Sequence, residues 1–289
     1  MEINERALHE LIDRCLAEDI GPGDLTTNSI VPHRMQVTGF IKAKQDGVVA
    51  GLPVARAVFH RLDPELEFLS QVNEGARVRA GEVLGRLCGR ARTILTGERL
   101  ALNFLQRLSG IATVTANLVE LVRDYPARIV DTRKTTPGLR LLEKYAVRVG
   151  GGHNHRLGLY DAVLIKDNHI RVAGGIANAV RRARASIPHT AKIEVETEDL
   201  AGVAQALEAG ADIIMLDNMD PETMAVAVRQ VNGRALLEAS GGISAQTIRA
   251  VAATGVDIIS VGALTHSAPA LDISLDVGQL KPMPGVIET

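Results

Sequence analysis

KIEVETEDLAGVAQALEAGADIIMLDN, residues 192–218, is the stretch that decides the fold. A short apolar run ends in charged residues, an Ala-rich stretch with helical spacing follows, and a second apolar run again ends in an acid. This order is typical of a strand, a helix and a second strand. Strands that are apolar throughout belong to parallel sheets covered on both faces. The stretch therefore predicts an α/β fold.

The same pattern recurs along the chain beyond Tyr125, with successive runs separated by roughly 20–35 residues, as βα units require. The runs are ARIVDTRK (127–134), AVLIKDNH (162–169), KIEVET (192–197), DIIMLDN (212–218), ALLEAS (235–240) and DIISVGA (257–263). A barrel and a doubly wound sheet both accommodate six such units. Every run ends in polar residues or glycine, and a barrel brings all strand ends to one face, whereas a doubly wound sheet uses a subset. This favours the barrel.

The first third of the chain has a different pattern. Residues 35–90 carry short β-like runs separated by glycines, which predicts an all-β hairpin segment. From Ala91 to Val122 the apolar residues recur at helical spacing. We place a domain boundary near Ser109 and Gly110. Residues 1–109 then form an N-terminal domain, which 270–289 could complete, and residues 110–269 form the barrel.

Composition excludes several classes of function. A net charge of −2, with 32 Lys plus Arg against 34 Asp plus Glu, lacks the electrostatic signature of a nucleic-acid binder. The first 19 residues read as an amphipathic helix rather than a secretory signal, and apolar runs stop far short of the ~20 residues that cross a bilayer. The two cysteines, Cys15 and Cys88, show neither disulfide nor zinc spacing. We therefore expect a protein of the reducing cytoplasm without a membrane span.

Cations concentrate at the ends of the first two strands of the barrel. They are Arg133, Lys134, Arg156 and Lys166, with His153, His155 and His169 nearby. Arginines bind carboxylates and phosphates through two parallel hydrogen bonds, while lysines act as point charges. The mixture indicates a ligand with several anionic groups. The alternative is a solvated face with ordinary ion pairs.

Acids and glycines end the remaining strands. Glu196 and Asp217 could hold Mg²⁺ on a phosphorylated ligand or stabilise positive charge developing on a sugar ring, or they could merely neutralise the lysines. SGGIS (240–244) and SVGALTH (260–266) fit a phosphate cradle backed by a helix N-terminus, although such glycines also form plain βα turns. The whole set favours a phosphosugar ligand and leaves the reaction open.

Longer motifs narrow the reaction. TGERLALNFLQRLSGIAT (96–113) and DTRKTTPGLRLLEKYAVRVGGGHNHRLGLYDAVLIKDNHI (131–170) closely resemble the quinolinate phosphoribosyltransferase family, and the resemblance continues through EVET, MLDN, EASGGI and VGALTH over nearly the whole chain. It implies an N-terminal α/β sandwich, an incomplete (open) α/β barrel of the type II phosphoribosyltransferases, and a homodimer whose active sites are completed across the interface. The implied reaction joins quinolinate to 5-phosphoribosyl-1-pyrophosphate (PRPP) with Mg²⁺ and releases pyrophosphate and carbon dioxide. The product is nicotinate mononucleotide, on the route of de novo NAD synthesis.

The resemblance also implies residue roles. Arg133, His155 and Arg156 match quinolinate ligands, and Arg99 matches the arginine that reaches into the partner's site. Lys134 and Lys166 are shared between the two substrates and, with Glu196 and Asp217, form the catalytic set. Glu196 and Asp217 lie near the ribose and Mg²⁺, bound directly or indirectly. The 5′-phosphate cradle corresponds to Ser240, Gly241, Gly242, Gly262 and His266.

Three alternatives remain at this point. A paralogue of the same fold could act on a different acceptor. A sugar-phosphate lyase could use Lys166 as a Schiff base, as lysines at barrel strand ends do. A non-enzymatic carrier is a third alternative, because VNEGARVRAGEVLG (72–85) resembles a biotinyl or lipoyl hairpin, but its turn region has no lysine for attachment.

Overall fold

The computed structural model describes residues 3–278, which form two compact units. The first unit falls within Met1–Val114, Leu141–Gly150 and Ala268–Thr289, and the second within Thr115–Arg140 and Gly151–Ser267. Of the segment 270–289, which could complete the N-terminal domain, residues 279–289 lie outside the described part of the chain. Among residues 3–278 no helix combines the length and the apolar character that crossing a membrane requires.

The first unit contains an antiparallel sheet with strand order β12-β1-β5-β3 and a two-stranded ladder, β2-β4. The strands are β1 (Gln36–Ala43), β2 (Gly47–Val48), β3 (Glu67–Ser70), β4 (Arg77–Val78), β5 (Val83–Arg90) and β12 (Ile273–Val277). The helices are α1 (Glu5–Ile20), α2 (Leu25–Ile30), α3 (Leu52–Leu62), most of α4 (Ala91–Leu121) and most of α5 (Arg140–Val149). The expected helices at the N-terminus and over 91–122 are therefore confirmed.

The expectation of an all-β segment over 35–90 is wrong, because α3 interrupts it. Val54, Val58 and Phe59 recur at helical spacing and are fully buried, so the segment gains more by covering the core with one helix face than by pairing as a strand. The start of α3 is also fixed by Glu74, whose carboxylate accepts the main-chain N–H groups of Gly51 and Leu52. The sequence did not reveal this helix because it is short and lies between turn-forming residues.

The position predicted as a domain boundary lies inside α4. Gly110 is a glycine because a Cβ there would lie 1.9 Å from the carbonyl oxygen of Pro269, closer than any real contact. Ser109 is buried and its hydroxyl accepts the main-chain N–H of Ala50 at 3.0 Å. These two residues therefore serve close packing within a continuous helix.

The second unit contains a six-stranded parallel sheet in the order β6-β11-β10-β9-β8-β7. The strands are β6 (Arg128–Val130), β7 (Val163–Ile165), β8 (Ile193–Thr197), β9 (Ile213–Asp217), β10 (Leu236–Ser240) and β11 (Ile258–Ser260). The helices are the end of α4 together with α6 (Asp167–Ala173), α7 (Ile176–Ser186), α8 (Leu200–Glu208), α9 (Pro221–Val231), α10 (Ile248–Ala253) and α11 (Ala263–His266). All six predicted strands are present.

The strand order defines an open barrel. Consecutive strands are neighbours from β7 to β11, and β11 returns to pair with β6, which leaves β6 and β7 as the two edges of the sheet. A parallel bridge between Val130 and His153 places the chain that follows α5 beside the free edge of β6. The sheet therefore curls around one interior with an opening after its first strand, as an incomplete α/β barrel does.

Candidate active site

The C-terminal ends of the barrel strands surround a cavity of about 690 Å³. Its lining includes every residue of the predicted site that belongs to the second unit: Arg133, Lys134, His155, Arg156, Lys166, Glu196, Asp217, Ser240, Gly241, Gly242, Gly262 and His266. Arg99 is exposed on α4 in the first unit and does not line this cavity. The fold thus brings together one predicted set of cations, acids and glycines.

The pleat of the strands explains this convergence. Side chains two apart on a strand point to the same face, so each strand sends two residues inward near its end. The inward pairs that line the cavity are Leu164 and Lys166, Met215 and Asp217, Glu238 and Ser240, and Ser260 and Gly262. The register places Ser240 beside Asp217 and Glu196 beside Met215. The polar layer at the mouth is therefore set by strand register.

Two arginines lie at the opening between β6 and β7. The Nε of Arg133 is buried and, among the described residues, has no hydrogen-bond partner. Arg156 donates from Nη1 to the carbonyl of Ala162 at 3.2 Å. Burial, and then the charge of Arg133, lower the pKa of Arg156 from its ordinary value. Two like charges held together with a buried donor unused favour binding of an anion between them.

His155 connects this arginine pair to a buried acidic pair. Its Nδ1 accepts the main-chain N–H of Arg156 at 2.7 Å. Its Nε2 lies 3.1 Å from an Oε2 of Glu194 and 3.6 Å from an Oε2 of Glu238. Burial, followed by the charge of Glu194, raises the pKa of Glu238 to about 7. The three side chains also offer ligand atoms that lie within 4.8 Å of one another, close enough to bind one metal ion together.

An ion pair and a second acid occupy the next part of the mouth. The Nζ of Lys166 lies 2.8 Å from an Oε2 of Glu196. Lys166 also directly precedes α6. Its main-chain N–H donates to Nδ1 of His169 at 3.0 Å, and this hydrogen bond fixes the backbone from which the lysine side chain extends. Burial, and then the charge of Glu196, raises the pKa of Asp217. This side of the cavity is short of positive charge.

The loop after β10 approaches the loop after β9 very closely. Gly241 has a positive φ of 95°, and a Cβ there would lie 2.2 Å from Oδ1 of Asn218. Asn218 itself has a positive φ of 55°, and its main-chain N–H is accepted by the carbonyl of Ser240 at 2.9 Å. The glycine is therefore required by close approach and by backbone conformation together. Behind this loop α10 begins only at Ile248, whereas behind the loop after β11 the helix α11 begins at Ala263, directly after Gly262.

The loop after β11 contacts Lys134. A Cβ at Gly262 would lie 3.1 Å from Cδ of Lys134 and 3.2 Å from Nε2 of His266. The aliphatic part of the lysine and the imidazole therefore pack directly against the glycine. The hydroxyl of Thr265 donates to the carbonyl of Lys134 at 2.8 Å and ties the loop after β6 to α11. A lysine, an imidazole and a backbone without a side chain therefore share this part of the cavity.

Sequence reasoning missed the residues that complete the wall. They are Thr132, Leu164, Met215, Asn218 and Glu238, whereas the other lining residues, Ile243, Ser260, Val261 and Ala263, belong to the two glycine loops predicted as a phosphate cradle. Glu194 and Glu238 carried a usable signal, because each is a charged residue in the middle of an otherwise apolar strand. His153 and His169 were named as neighbours of the cations, and neither lines the cavity. His153 instead pairs through its backbone with β6.

An open α/β barrel with arginines, a lysine–glutamate pair and glycine loops around one mouth defines an enzyme for a ligand with several anionic groups. Comparison with known proteins specifies the family. The model of the quinolinate phosphoribosyl transferase N-terminal domain matches residues 24–109, and the C-terminal domain model matches residues 111–276. The chain belongs to the quinolinate phosphoribosyl transferase family.

Individual relatives agree with this assignment. The probable nicotinate-nucleotide pyrophosphorylase [carboxylating] of Synechocystis sp. is 49% identical over 92% of this chain and 91% of its own length. The Bacillus subtilis protein of the same name is 46% identical over 95% of each chain. The solved structure of the nicotinate-nucleotide pyrophosphorylase from Francisella tularensis matches with a TM-score of 0.92 at 44% identity, over 96% of this chain and 98% of that one. The two-domain architecture expected from the sequence is confirmed.

Proposed function

We propose that this chain transfers the 5-phosphoribosyl group from PRPP to quinolinate, with loss of carbon dioxide and pyrophosphate, and so makes nicotinate mononucleotide for de novo NAD synthesis. One observation carries the proposal: a single cavity holds two arginines on one side, one with a buried Nε that has no hydrogen-bond partner among the described residues, and the carboxylates of Glu196 and Asp217 on the other. A dianionic pyridine fits the first side, and a ribosyl group that develops positive charge fits the second. The names of the relatives support the same reaction.

The arginines form the quinolinate subsite. Quinolinate carries two adjacent carboxylates, and two guanidinium groups offer the planar, two-pronged donors that suit them. The buried Nε of Arg133 gains a hydrogen-bond partner when the carboxylates bind. Burial, and then the charge of Arg133, lowers the pKa of Arg156, and a bound carboxylate offsets both effects. Lys134 and Lys166 lie in the same lining and border both substrates. His155 belongs to this subsite because its ring lines the cavity beside Arg156.

The glycine loops form the phosphate subsite. Gly241, Gly242 and Gly262 present backbone without side chains, so a phosphate can approach the N–H groups closely. Ser240 adds a hydroxyl, and His266 adds a ring nitrogen next to Gly262. Because the side chain of Lys134 packs against Gly262, its ammonium can bind a phosphate of PRPP and a carboxylate of quinolinate at the same time.

Magnesium fits the acidic side. Glu196 and Asp217 supply carboxylate oxygens, the donors that Mg²⁺ prefers. Burial, and then the charge of Glu196, raises the pKa of Asp217, and a bound cation would offset both effects. When bound with PRPP, Mg²⁺ would neutralise charge on the departing pyrophosphate. Glu196 and Asp217 would hold it directly or through water. The pairing of Glu196 with Lys166 leaves Asp217 as the acid whose charge is least compensated.

Positioning and electrostatics supply the catalysis. The bond between C1′ and the pyrophosphate oxygen breaks as the pyridine nitrogen forms its bond to C1′, and the ribosyl carbon gains positive character between these events. Glu196 stabilises that charge through space. The positive charge of the quaternised nitrogen then stabilises the electron pair that stays on C2 when the C2 carboxylate departs as carbon dioxide, and the resulting ylide takes a proton from water. No general base is required, so the residues act by binding and orienting.

A homodimer completes the site in this proposal. Arg99 is exposed on α4, which supports a role in trans. Mixing Arg99→Ala with Glu196→Ala tests it, because a mixed dimer regains one intact site. Recovery of about a quarter of wild-type activity after subunit exchange supports the interface. Two inactive variants that stay inactive when mixed, although dimers form, contradict it.

The free thiols of Cys15 and Cys88 suit a reducing compartment, and we propose the cytoplasm.

A steady-state assay tests the function. Purified protein is incubated with PRPP, Mg²⁺ and either quinolinate or nicotinate, while carbon dioxide and mononucleotide are followed. Turnover with quinolinate alone supports the proposal. Turnover with nicotinate instead, or PRPP binding without turnover, indicates a paralogue with another acceptor. Trapping by borohydride with a sugar phosphate would indicate a Schiff-base lyase; the ion pair of Lys166 with Glu196 disfavours it, because a paired ammonium is a poor nucleophile.

A further inference from the structure

We propose that His155 is a positioning residue that acts through Arg156: its neutral ring is anchored by Glu194 and Glu238 and holds the main chain of Arg156, and it does not itself bind quinolinate as a cation. This inference rests on the proposed function, because it specifies how one side of the quinolinate subsite is built. It is carried by the contacts of the two ring nitrogens.

The first contact fixes the tautomer. The main-chain N–H of Arg156 points at Nδ1 of His155, with 2.7 Å between the nitrogens. A nitrogen that accepts a hydrogen bond carries no proton, so Nδ1 must be the bare nitrogen of the ring. An imidazolium would place two N–H groups against each other at this distance. The proton of His155 therefore resides on Nε2.

The second contact anchors that proton. Nε2 lies 3.1 Å from Glu194 and 3.6 Å from Glu238, and the side chains of these acids are only 5% and 2% exposed. The other carboxyl oxygen of each acid is buried and has no hydrogen-bond partner among the described residues. The donated Nε2–H therefore gives the buried carboxylate of Glu194 a hydrogen-bond partner. Both ring nitrogens are committed inside the protein, and neither is left to reach a substrate carboxylate.

The same geometry disfavours a metal ion at the three side chains. A metal bound at Nε2 would move the ring proton to Nδ1, where it would oppose the N–H of Arg156. The contacts of His155 instead hold the loop that carries Arg156 in place. Glu194 lies on β8 and Glu238 on β10, so the ring ties the loop that carries Arg156 to two central strands. The guanidinium, held at its far end by the carbonyl of Ala162, is then fixed at both ends.

A double-mutant cycle separates positioning from direct binding. The dissociation constant of quinolinate is measured by calorimetry, without PRPP, for the wild type, His155→Ala, Arg156→Ala and the double variant. We expect each single change to weaken binding by about 10-fold or more, and the double variant to be within about 2-fold of Arg156→Ala. Losses that multiply would show that His155 contacts quinolinate independently and would overturn the proposal. His189→Ala, an exposed histidine on the same unit, is the matched control.

Nitrogen NMR of the wild-type protein tests the tautomer without any ligand. In protein labelled with ¹⁵N-histidine at pH 7.5, the ring of His155, identified by its absence in His155→Asn, should show a protonated Nε2 and a bare Nδ1. A doubly protonated ring contradicts the proposal even if the enzyme is active. Conversely, a wild type that shows this tautomer but binds no quinolinate at any concentration overturns the proposed function and leaves the contact itself established.

Substitution of Glu194 provides a conservative rescue. Glu194→Leu removes the acceptor for Nε2–H and should weaken quinolinate binding about as much as His155→Ala, whereas Glu194→Gln keeps a carbonyl acceptor and should restore most of the affinity. If glutamine is as damaging as leucine, the carboxylate charge matters and His155 is cationic, contrary to the proposal.

Titration with Zn²⁺ or Mn²⁺ alone, followed by the same NMR signals, tests the metal alternative. A shift of the His155 resonance at micromolar metal would overturn the proposal.

Discussion

The ammonium Nζ of Lys166 lies 2.8 Å from an Oε2 of Glu196, and this contact joins the ends of two neighbouring strands, β7 and β8. The glutamate side chain is 13% exposed and that of the lysine 48%, so the pair reaches from the wall of the barrel to its mouth. The acid is therefore held in one orientation while the lysine remains able to turn toward an anion. Asp217, on the next strand, is raised in pKa by burial and by the charge of Glu196.

This orientation predicts a kinetic signature for Glu196. Glu196→Ala should lower kcat by about 100-fold or more and change KM for either substrate much less, because electrostatic stabilisation of the ribosyl cation acts in the transition state. Steady-state kinetics measure both constants. Glu208→Ala, an exposed acid at the end of α8, is the control and should behave as wild type. An unaltered kcat would remove Glu196 from the transition state.

Arg156 should show the opposite signature. As a clamp for the ground state, Arg156→Ala should raise the KM for quinolinate by at least about 10-fold with a smaller effect on kcat and on the KM for PRPP. Arg156→Lys should not restore binding, since an ammonium lacks the two parallel donors that a carboxylate accepts. Arg182→Ala on the exposed surface of α7 is the charge-matched control. Lost kcat with unchanged KM would contradict this role.

The pKa of Glu238, raised from 4.5 to about 7 chiefly by burial, predicts how stability depends on pH. Below 4.5 the carboxyl is protonated in the folded and the unfolded chain. As pH rises toward 7 the unfolded chain releases the proton and the folded chain retains it, so stability is lost progressively and the loss is complete above 7.

Glu238→Gln avoids this loss. Its Tm should exceed that of the wild type at pH 8, by an amount of the order of 5 °C, and the difference should vanish near pH 4.5. Thermal unfolding followed by circular dichroism at the two pH values measures it. Glu208→Gln on the surface should shift Tm equally at both. A benefit for Glu238→Gln that is independent of pH would mean that the carboxyl is not held protonated.

Much of this architecture could be predicted from the sequence because periodicity reports burial directly. The six strands were identified because each is mostly apolar, and their C-terminal residues lie at one mouth because parallel strands in a barrel share a direction. α3 was missed because eleven residues between turn signals carry too little pattern. The contact of His155 with Glu194 and Glu238 joins three parts of the chain, and only the register of β8, β9 and β10 brings them together.

Gly241 provides a last test, at the phosphate subsite. Gly241→Ala adds a Cβ at a positive φ of 95° and drives it to within 2.2 Å of Oδ1 of Asn218, so the two loops must separate. Gly255 has a similar φ of 92°, but a Cβ there would meet only Cγ1 of Val228 at 3.4 Å. Both variants should lose about 1 kcal/mol or more of stability from backbone strain. Only Gly241→Ala should also raise the KM for PRPP, by about 10-fold or more, because it alone disturbs the cavity. Equal KM values for PRPP in the two variants would place the phosphate elsewhere in the mouth.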